Sequence, residues 1–429
     1  MKTSNGSARG GPGSRAVAKE SRRPAATATA TRKGGEKAGG EPTAAKNGRA
    51  DHPDATAERA EADAGGVRDL TERAESTEQL VDLYRQMLLI RRFEEKTGEM
   101  YTRAKIGGYC HLNLGEEATI VGVMSALDQR DYIFTNYREH GYILARGVDP
   151  NRIMAELFGK ETGISSGRGG SMHLFDTKTN FLGGYAIVGG QLPLATGAGL
   201  AIAHRGEDGV VLCQMGDATT NIGAFHESLN IAALWKLPVV FMIVNNNYGM
   251  GTTVAKASAE PDLYKKACAY RMRAEQVDGN DVLAVRDAMA RAVEVARTEK
   301  LPSLLDVQSF RWRGHSVVDP DRYRDKSMVE KGRAQDPIAH FAQRLKDAGI
   351  VDDAALKMID AEVTETVDGA VRFADESPDP QPKDLFVFDY ATDVANVDRT
   401  FPADHTGLAE VGLAGDADDG ADSAEQEAR

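Results

Sequence analysis

Two short apolar runs, separated by one helical segment, constrain the fold of this chain more than any other feature. The first run covers residues 209–215 and the second covers residues 239–244. Both are largely apolar on both faces, which is typical of strands in a covered parallel sheet. The segment between them, about residues 221–235, has the spacing of a crossover helix. The sequence therefore predicts an α/β protein whose parallel sheet is covered by helices on both faces.

The ordered part of the chain is predicted to begin at Ser76. Residues 76–79 read Ser-Thr-Glu-Gln, which is a capping box, and apolar residues recur after it at helical spacing. A further βα-type unit follows the two apolar runs. In it Asp281 caps an alanine-rich helix that extends to about Glu299, and residues 303–307 form another apolar run. No internal repeat is found, and the part of the chain between the two flanking segments, residues 76–395, is predicted to be one domain.

Two segments of different composition flank this domain. Residues 1–75 contain no aromatic residue and are rich in small and basic residues, so they bury too little apolar area to offset the entropy of ordering. Their first fifty positions hold only three acids, which makes a basic arm that resembles an organelle transit peptide. A tether for an acidic partner or RNA, and a tail without a specific role, are the alternatives. Residues 396–429 are acidic and are also predicted to be disordered.

Composition excludes several classes of protein. No stretch approaches the roughly 18 uncharged apolar residues that a membrane span requires, and the N-terminus lacks the apolar core of a secretory signal. The three cysteines have no CxxC spacing, so neither a disulfide framework nor a zinc site is predicted. A net charge of −13 argues against nucleic acid as the partner of the body of the protein. We expect a cytoplasmic protein, or one of the mitochondrial matrix if the basic arm is a transit peptide.

Asp217 and Asn246 carry the clearest chemical signal in the sequence. Each follows one of the two predicted strands, and one crossover connection separates them. Ligands of open α/β sheets bind at the carboxyl ends of the strands, so we expect the two side chains to converge there. One carboxylate, one amide oxygen and a nearby carbonyl suit Mg²⁺ that shares phosphate oxygens. The helix that begins near Thr219 offers free N–H groups to the same anion.

Six motifs occur along the chain in a fixed order. They are Tyr109-Cys110-His111-Leu112, Tyr137-Arg138-Glu139-His140-Gly141, Gly167-Arg168-Gly169-Gly170-Ser171-Met172-His173, Ile187-Val188-Gly189, the stretch from Gly216-Asp217 to Gly249-Met250-Gly251, and Arg313-Gly314-His315-Ser316. Together they resemble the motifs of the 2-oxoacid dehydrogenase alpha subunits over about residues 76–374. The resemblance implies a thiamine-diphosphate-binding fold and an enzyme that decarboxylates a small 2-oxoacid.

The resemblance also implies roles for individual residues. Mg²⁺ would be held by Asp217, Asn246 and the carbonyl oxygen of Tyr248. The diphosphate would contact Tyr137 and Arg138, and the planar guanidinium of an arginine matches phosphate oxygens well. The residues implied to line the cofactor are Tyr137, Arg138, Ala186, Val188, Asp217, Ala218, Thr219, Asn246, Tyr248 and Gly249.

His315 and His111 are the candidate catalytic residues by the same resemblance. His315 is expected near the diphosphate and the substrate channel, and His111 is expected to face the reaction centre. A hydrogen-bonded structural role is the alternative for each. Ala218 departs from the family pattern, which has a second glycine there, and its methyl group is costly only at positive φ or at a close backbone approach. Ser316 corresponds to a regulatory phosphorylation site of eukaryotic relatives, and a phosphate there would crowd an anion channel.

Partners follow from what this chain lacks. Activation of the cofactor in this family needs a glutamate from another domain, and the chain has room for only one domain. We therefore expect a partner chain that completes the site. The resemblance implies that this partner is a beta subunit in an α₂β₂ heterotetramer, and that the acyl group passes to a lipoyl-bearing dihydrolipoyl acyltransferase core. The motifs at residues 109–112 and 187–191 are closer to pyruvate-type than to branched-chain subunits, whereas acetoin dehydrogenase alpha subunits share them. A non-catalytic adaptor that acts through the basic arm is the alternative of another class.

Overall fold

The computed structural model describes Leu70 and residues 73–386 of the chain. Most of the predicted basic arm at 1–75 and the whole predicted tail at 396–429 lie outside the described residues. Three expectations therefore stay predictions: the disorder of both segments, the end of the domain at residue 395, and the location of the protein in the cell.

Eight strands occur in this described part of the chain. They are β1 (Tyr132–Asn136), β2 (Phe181–Tyr185), β3 (Val211–Gly216), β4 (Val239–Asn245), β5 (Tyr248–Gly249), β6 (Thr252–Thr253), β7 (Arg273–Asp278) and β8 (Ser303–Gln308). β5 and β6 form a small antiparallel pair by themselves. The other six form one parallel sheet in the order β2-β1-β3-β4-β8-β7, so all their carboxyl ends lie at one edge.

Helices connect and cover these strands. The α-helices among the described residues are α1 (Thr77–Thr102), α2 (Glu117–Met124), α3 (His140–Ala145), α4 (Pro150–Leu157), α5 (Gln191–Arg205), α6 (Gly223–Trp235), α7 (Val254–Ala257), α8 (Val282–Glu294), α9 (Lys326–Arg333), α10 (Pro337–Asp347) and α11 (Asp353–Glu376). None of these has both the length and the apolar character that crossing a bilayer requires.

The sheet is buried on both sides, as the apolar runs predict. Val240 and Met242 of β4 pack into one core with α1, α2 and α8. Phe241 and Ile243 point to the opposite side and pack with α5 and α6. Successive residues of a strand face opposite sides of the sheet, so a strand between two helix layers is apolar at every position. The predicted α/β fold with helices on both faces is confirmed.

Local predictions are also confirmed, with two differences. The predicted strands are neighbours and run parallel, with Val211 opposite Val239. Ser76 forms its capping box, and Asp281 caps α8. The crossover helix α6 begins only after a separate 3₁₀ turn, Asp217–Asn221. The helix after Asp281 is α-helical to Glu294 and continues as a π turn to Glu299. The predicted end of the helix is therefore right, but its last turn is wider than an α-helical turn.

Candidate active site

Three strand ends meet at the carboxyl edge of the sheet. Oδ1 of Asn246, after β4, and the carbonyl oxygen of Tyr248 each lie 3.4 Å from Nη1 of Arg311, which follows β8. Arg311 is only 2% exposed. Two of the three oxygens implied as metal ligands therefore converge on one position, and a positive charge is favourable there.

Asp217 lies in the same region with one oxygen unpaired. It is the first residue of the turn after β3, and its Oδ1 accepts a hydrogen bond from the N–H of Ala218 at 2.9 Å. Its Oδ2 is buried without a hydrogen-bond partner. Burial raises the pKa of Asp217 to about 6, while the Ala218 N–H and the charge of Arg311 oppose the rise. An unpaired buried carboxylate oxygen is costly, and a bound cation would remove that cost.

The residues present fit Mg²⁺ by their chemistry. No cluster of three or more His, Cys, Asp or Glu side chains suited to a metal occurs between residues 73 and 386. The set at this edge is of another kind, because it combines one carboxylate, one amide oxygen and one carbonyl. Such hard oxygen ligands suit Mg²⁺ that also binds phosphate and water.

Glu116 fixes the orientation of the amide of Asn246. Its Oε1 accepts a hydrogen bond from Nδ2 of Asn246 at 3.0 Å, and its Oε2 accepts one from Nδ2 of Asn113 at 3.1 Å. Since the NH₂ group of Asn246 faces this carboxylate, its oxygen faces the opposite way, toward Arg311. The amide oxygen is thus held in place for a cation.

Arg311 and Glu116 are not among the site residues that the resemblance implies. Arg311 follows β8, and the rule that ligands bind at the ends of parallel strands points to it once residues 303–307 are taken as a strand of the same sheet. Glu116 gives a weaker signal. It is one of two adjacent acids that precede the apolar run at 118–124, where a solvated helix start is the ordinary interpretation.

Arg138 joins the segments that carry the two candidate histidines. It is buried, and it donates hydrogen bonds to the carbonyl of Leu112 at 2.5 Å and to the carbonyl of His315 at 2.7 Å. Leu112 directly follows His111, so one guanidinium fixes both backbones. This contact is independent of the diphosphate contact that the resemblance implies for Arg138.

His111, His315 and Tyr137 form a cluster of rings. The centroid of His111 lies 4.5 Å from that of Tyr137 and 5.1 Å from that of His315. Burial, reinforced by the charge of Arg138, lowers the pKa of His111 to about 2 and that of His315 to about 4. Nδ1 of each histidine is buried without a hydrogen-bond partner. Both rings are therefore uncharged at neutral pH and have a nitrogen left for a ligand.

The remaining implied cofactor residues lie at the same edge of the sheet. Thr219 is buried in the turn that begins with Asp217. Ala186 and Val188 lie between β2 and α5, at the end of an edge strand, and Val188 is exposed. The structure thus places Thr219 in the same turn as Asp217. It places Ala186 and Val188 after the edge strand β2, which is separated from β3 by one strand, β1.

Ala218 is accommodated by a glycine on the facing turn. Its φ is not positive, so the backbone gives no reason for glycine at this position. A Cβ atom added to Gly249 would lie 2.5 Å from the Cβ of Ala218. The methyl group that departs from the family pattern therefore occupies the space beside Gly249.

Gly249→Ala is expected to weaken cofactor binding, and Ala218→Gly in the same chain is expected to restore it. Two methyl groups cannot share this space, and overpacking of this kind costs ~1–3 kcal/mol, or about 5-fold to 150-fold in affinity if the strain falls on the bound state. Calorimetric titration of both variants with thiamine diphosphate and Mg²⁺ checks this. An Ala218→Gly/Gly249→Ala chain that binds no better than Gly249→Ala would show that the clash is not the cause.

The glycine-rich motif at 167–173 surrounds a carboxylate of this chain. Glu156 of α4 is fully buried, and its two oxygens accept four backbone hydrogen bonds of 2.6–3.2 Å. The donors are Ser165, Gly167, Gly169 and Gly170. These backbone N–H groups are thus already paired with a structural glutamate.

The loop after Arg311 is held by its own side chains. Oδ2 of Asp319 accepts hydrogen bonds from the N–H of His315 at 2.6 Å and from the hydroxyl of Tyr323 at 2.7 Å. The same hydroxyl accepts one from Nη2 of Arg311 at 3.0 Å. Ser316 is buried within this loop. Its phosphorylation, which stays a hypothesis, requires the loop to open.

Comparison with known proteins identifies the family of this chain. A family described as "Dehydrogenase E1 component" matches residues 85–383. The chain is 46% identical over 312 residues to the pyruvate dehydrogenase E1 component subunit alpha of Rhizobium meliloti, which covers 72% of this chain and 90% of that protein. It is 45% identical over 313 residues to the protein of the same name from Zymomonas mobilis, covering 72% and 88%. It is 42% identical over 313 residues to the protein of the same name from Porphyra purpurea, and the match covers 71% of this chain and 91% of that protein. The chain therefore belongs to the dehydrogenase E1 component family.

Proposed function

We propose that this chain is the alpha subunit of the thiamine-diphosphate-dependent component of a pyruvate dehydrogenase complex. In this role it decarboxylates pyruvate together with a beta subunit and passes the acetyl group to lipoyl groups of an acyltransferase. The observation that carries the proposal is the convergence of Asn246 Oδ1 and the Tyr248 carbonyl on Nη1 of Arg311, whose charge also opposes the rise in the pKa of Asp217, a carboxylate with one buried and unpaired oxygen. The relatives that share this chain over most of their length are named for the same component.

The residues at the sheet edge would hold the charged end of the cofactor. Asp217, Asn246 and the carbonyl of Tyr248 supply oxygens for Mg²⁺, and Arg138 and Arg311 supply positive charge for the diphosphate. When bound, thiamine diphosphate supplies an electron sink for the electron pair left behind as CO₂ departs from a 2-oxoacid. The protein's part is to fix the anion of the cofactor and to exclude water around it.

His111 and His315 would act on the substrate as uncharged imidazoles. Their lowered pKa values keep both neutral at pH 7, so each ring has one donor and one acceptor nitrogen. A neutral imidazole can donate a hydrogen bond to a carbonyl. Because pKa values this low make both rings weak bases, hydrogen bonding rather than proton uptake is the role that they favour. The 5.1 Å between their ring centroids allows both to reach one small substrate.

A beta subunit would cover the mouth of the site. Several large apolar side chains next to the site residues are exposed; they are Tyr109, Ile187, Val188, Met250 and Val318. Ile187 is 76% exposed. Exposed large apolar residues that adjoin the residues of a polar site along the chain are typical of a surface that a partner chain covers. This arrangement supports a site shared between two chains, as in an α₂β₂ heterotetramer.

Calorimetry with thiamine diphosphate and Mg²⁺ tests the proposal directly. The full chain is titrated alone and after purification with its beta subunit. Binding that needs Mg²⁺ and strengthens with the beta subunit is expected, because the second chain contacts the other end of the cofactor. Absence of Mg²⁺-dependent binding in the two-chain complex would overturn the proposal.

Activity of the two-chain complex distinguishes the candidate substrates. Pyruvate is expected to be preferred over 2-oxoisovalerate and acetoin, although one or two methylenes in a pocket are worth only ~1–3 kcal/mol. The adaptor alternative predicts that deletion of residues 1–75 abolishes partner binding and that Asp217→Asn has no effect. The proposed enzymatic function predicts the reverse: deletion of residues 1–75 leaves partner binding intact, and Asp217→Asn abolishes metal-dependent binding of the cofactor.

A further inference from the structure

Asp306 is a fully buried carboxylate inside β8 that the proposed chemistry does not use. Its Oδ1 accepts hydrogen bonds from Nδ2 of Asn245 at 3.0 Å and from Nε2 of Gln308 at 2.9 Å. Its Oδ2 accepts one from Nε2 of Gln276 at 3.3 Å. Side-chain amides from the three adjacent strands β4, β8 and β7 therefore meet at one carboxylate.

The amide of Asn245 connects this carboxylate to the turn that carries two proposed metal ligands. Asn245 is the last residue of β4, and its Oδ1 accepts a hydrogen bond from the backbone N–H of Asn247 at 3.1 Å. Asn247 has a φ of 66°, in the left-handed region. Such a side-chain-to-backbone bond closes a local turn. Asn246 lies inside this turn, and Tyr248 follows it directly.

A carboxylate at position 306 determines which way the Asn245 amide faces. Because both oxygens of an ionised carboxylate only accept hydrogen bonds, Nδ2 of Asn245 faces β8 and its oxygen is left for the N–H of Asn247. In the reversed orientation an NH₂ group would face that N–H, and both would lack an acceptor. The geometry of the turn thus depends on the group at position 306.

We propose that Asp306 is a positioning residue that sets the Mg²⁺ and diphosphate affinity of the site by fixing, through Asn245, the turn that carries Asn246 and Tyr248. This inference rests on the proposed function, since it concerns the same site. Within the described part of the chain, the hydrogen bonds of Asp306 reach this turn only through the amide of Asn245. Partners that orient metal ligands from behind change metal affinity by ~10-fold to 100-fold when they are removed.

The test compares Asp306→Ala with Asp131→Ala in the full chain purified with its beta subunit. Asp131 is equally buried, but it lies at the opposite end of the sheet, where it pairs with Arg297. Burial raises the pKa of Asp306, so binding is measured at pH 8 to keep its carboxyl ionised. Calorimetry with thiamine diphosphate and Mg²⁺ is expected to show about 10-fold to 100-fold weaker binding for Asp306→Ala. Asp131→Ala is expected to lose stability but to keep the wild-type affinity.

Two further variants separate positioning from a general loss of stability. Asp306→Asn keeps one acceptor oxygen and is expected to recover most of the affinity. Asn245→Ala breaks the next link, so it is expected to weaken binding as much as Asp306→Ala, with no further loss when the two are combined. If Asp306→Ala does not fold, Asn245→Ala decides the same question.

Two results overturn the inference. The first is wild-type cofactor affinity in Asp306→Ala, or in Asn245→Ala if Asp306→Ala does not fold. The second is a loss of affinity in Asp131→Ala that equals the loss in Asp306→Ala. A wild-type complex that does not bind the cofactor with Mg²⁺ overturns the proposed function instead. The two failures are therefore distinguishable.

Discussion

Asp217→Asn is expected to lose Mg²⁺-dependent binding of thiamine diphosphate and, at the same time, to make the ligand-free chain more stable. Removing one half of a buried charge pair costs ~2–5 kcal/mol, which corresponds to binding weaker by about 30-fold to a few thousandfold. The amide keeps an oxygen for the N–H of Ala218, so the backbone turn is retained. Calorimetric titration of the two-chain complex measures the loss.

The gain in stability follows from the raised pKa of Asp217. An acid whose pKa is higher in the folded chain is harder to ionise there, so it lowers the free energy of unfolding above that pKa. This penalty, ~3 kcal/mol at pH 7, is almost fully present above about pH 6 and disappears as the pH falls toward 3.8, the ordinary value. The amide of the Asp217→Asn variant cannot ionise and avoids this penalty. Urea unfolding of the ligand-free chains should therefore show a difference at pH 7 that vanishes near pH 4.

Asp208→Asn is the matched control for this experiment. Asp208 is an exposed carboxylate that precedes the same strand, β3, at its other end. Its replacement should leave both the cofactor affinity and the free energy of unfolding within about 0.5 kcal/mol of wild type. Retained Mg²⁺-dependent binding in Asp217→Asn would remove Asp217 from the proposed metal ligands.

Glu156→Gln is expected to cause the largest loss of stability among single polar substitutions considered for this chain. An amide has only one acceptor oxygen, so two of the four backbone N–H groups around Glu156 would face an NH₂ group instead. Each buried donor left without an acceptor costs ~1–3 kcal/mol. The expected loss of about 2–5 kcal/mol is a large part of the ~5–15 kcal/mol that stabilises a typical domain.

The packing around Glu156 prevents an easy relaxation. A Cβ atom on Gly163 would lie 2.3 Å from Oε2 of Glu156, so the loop already approaches the carboxylate as closely as glycine allows. Chemical denaturation measures the effect, and Glu161→Gln, at an exposed position on the same loop, is the control. If Glu156→Gln unfolds at the same urea concentration as Glu161→Gln, water must satisfy these N–H groups.

Local patterns in the sequence were sufficient to predict the architecture. The apolar runs that became β3 and β4 are buried on both faces, and burial on both faces leaves a continuous apolar signal in the sequence. The capping residues Ser76 and Asp281 act on backbone groups two or three positions away, so their effect is also local. Because parallel strands end at one edge, the strand pattern alone predicted that the neighbouring strands before Asp217 and Asn246 end at the same edge of the sheet.

Contacts between distant segments were decided only by the tertiary structure. Arg311 lies 3.4 Å from Oδ1 of Asn246 because β8 is inserted between β4 and β7, an order that the sequence pattern does not specify. Glu116 reaches the same amide from the start of α2, 130 positions away in the chain. The lowered pKa values of His111 and His315 depend on how deeply the folded chain buries them.

The physical reason for this division is the range of each effect. Hydrophobic periodicity, helix capping and strand termini act over a few residues, so the sequence by itself determined the α/β fold and the strand ends at which the proposed ligands lie. Burial, amide orientation and the position of Arg311 arise from packing between segments far apart in the chain. Only the tertiary structure decided how the residues at the strand ends are oriented, charged and held.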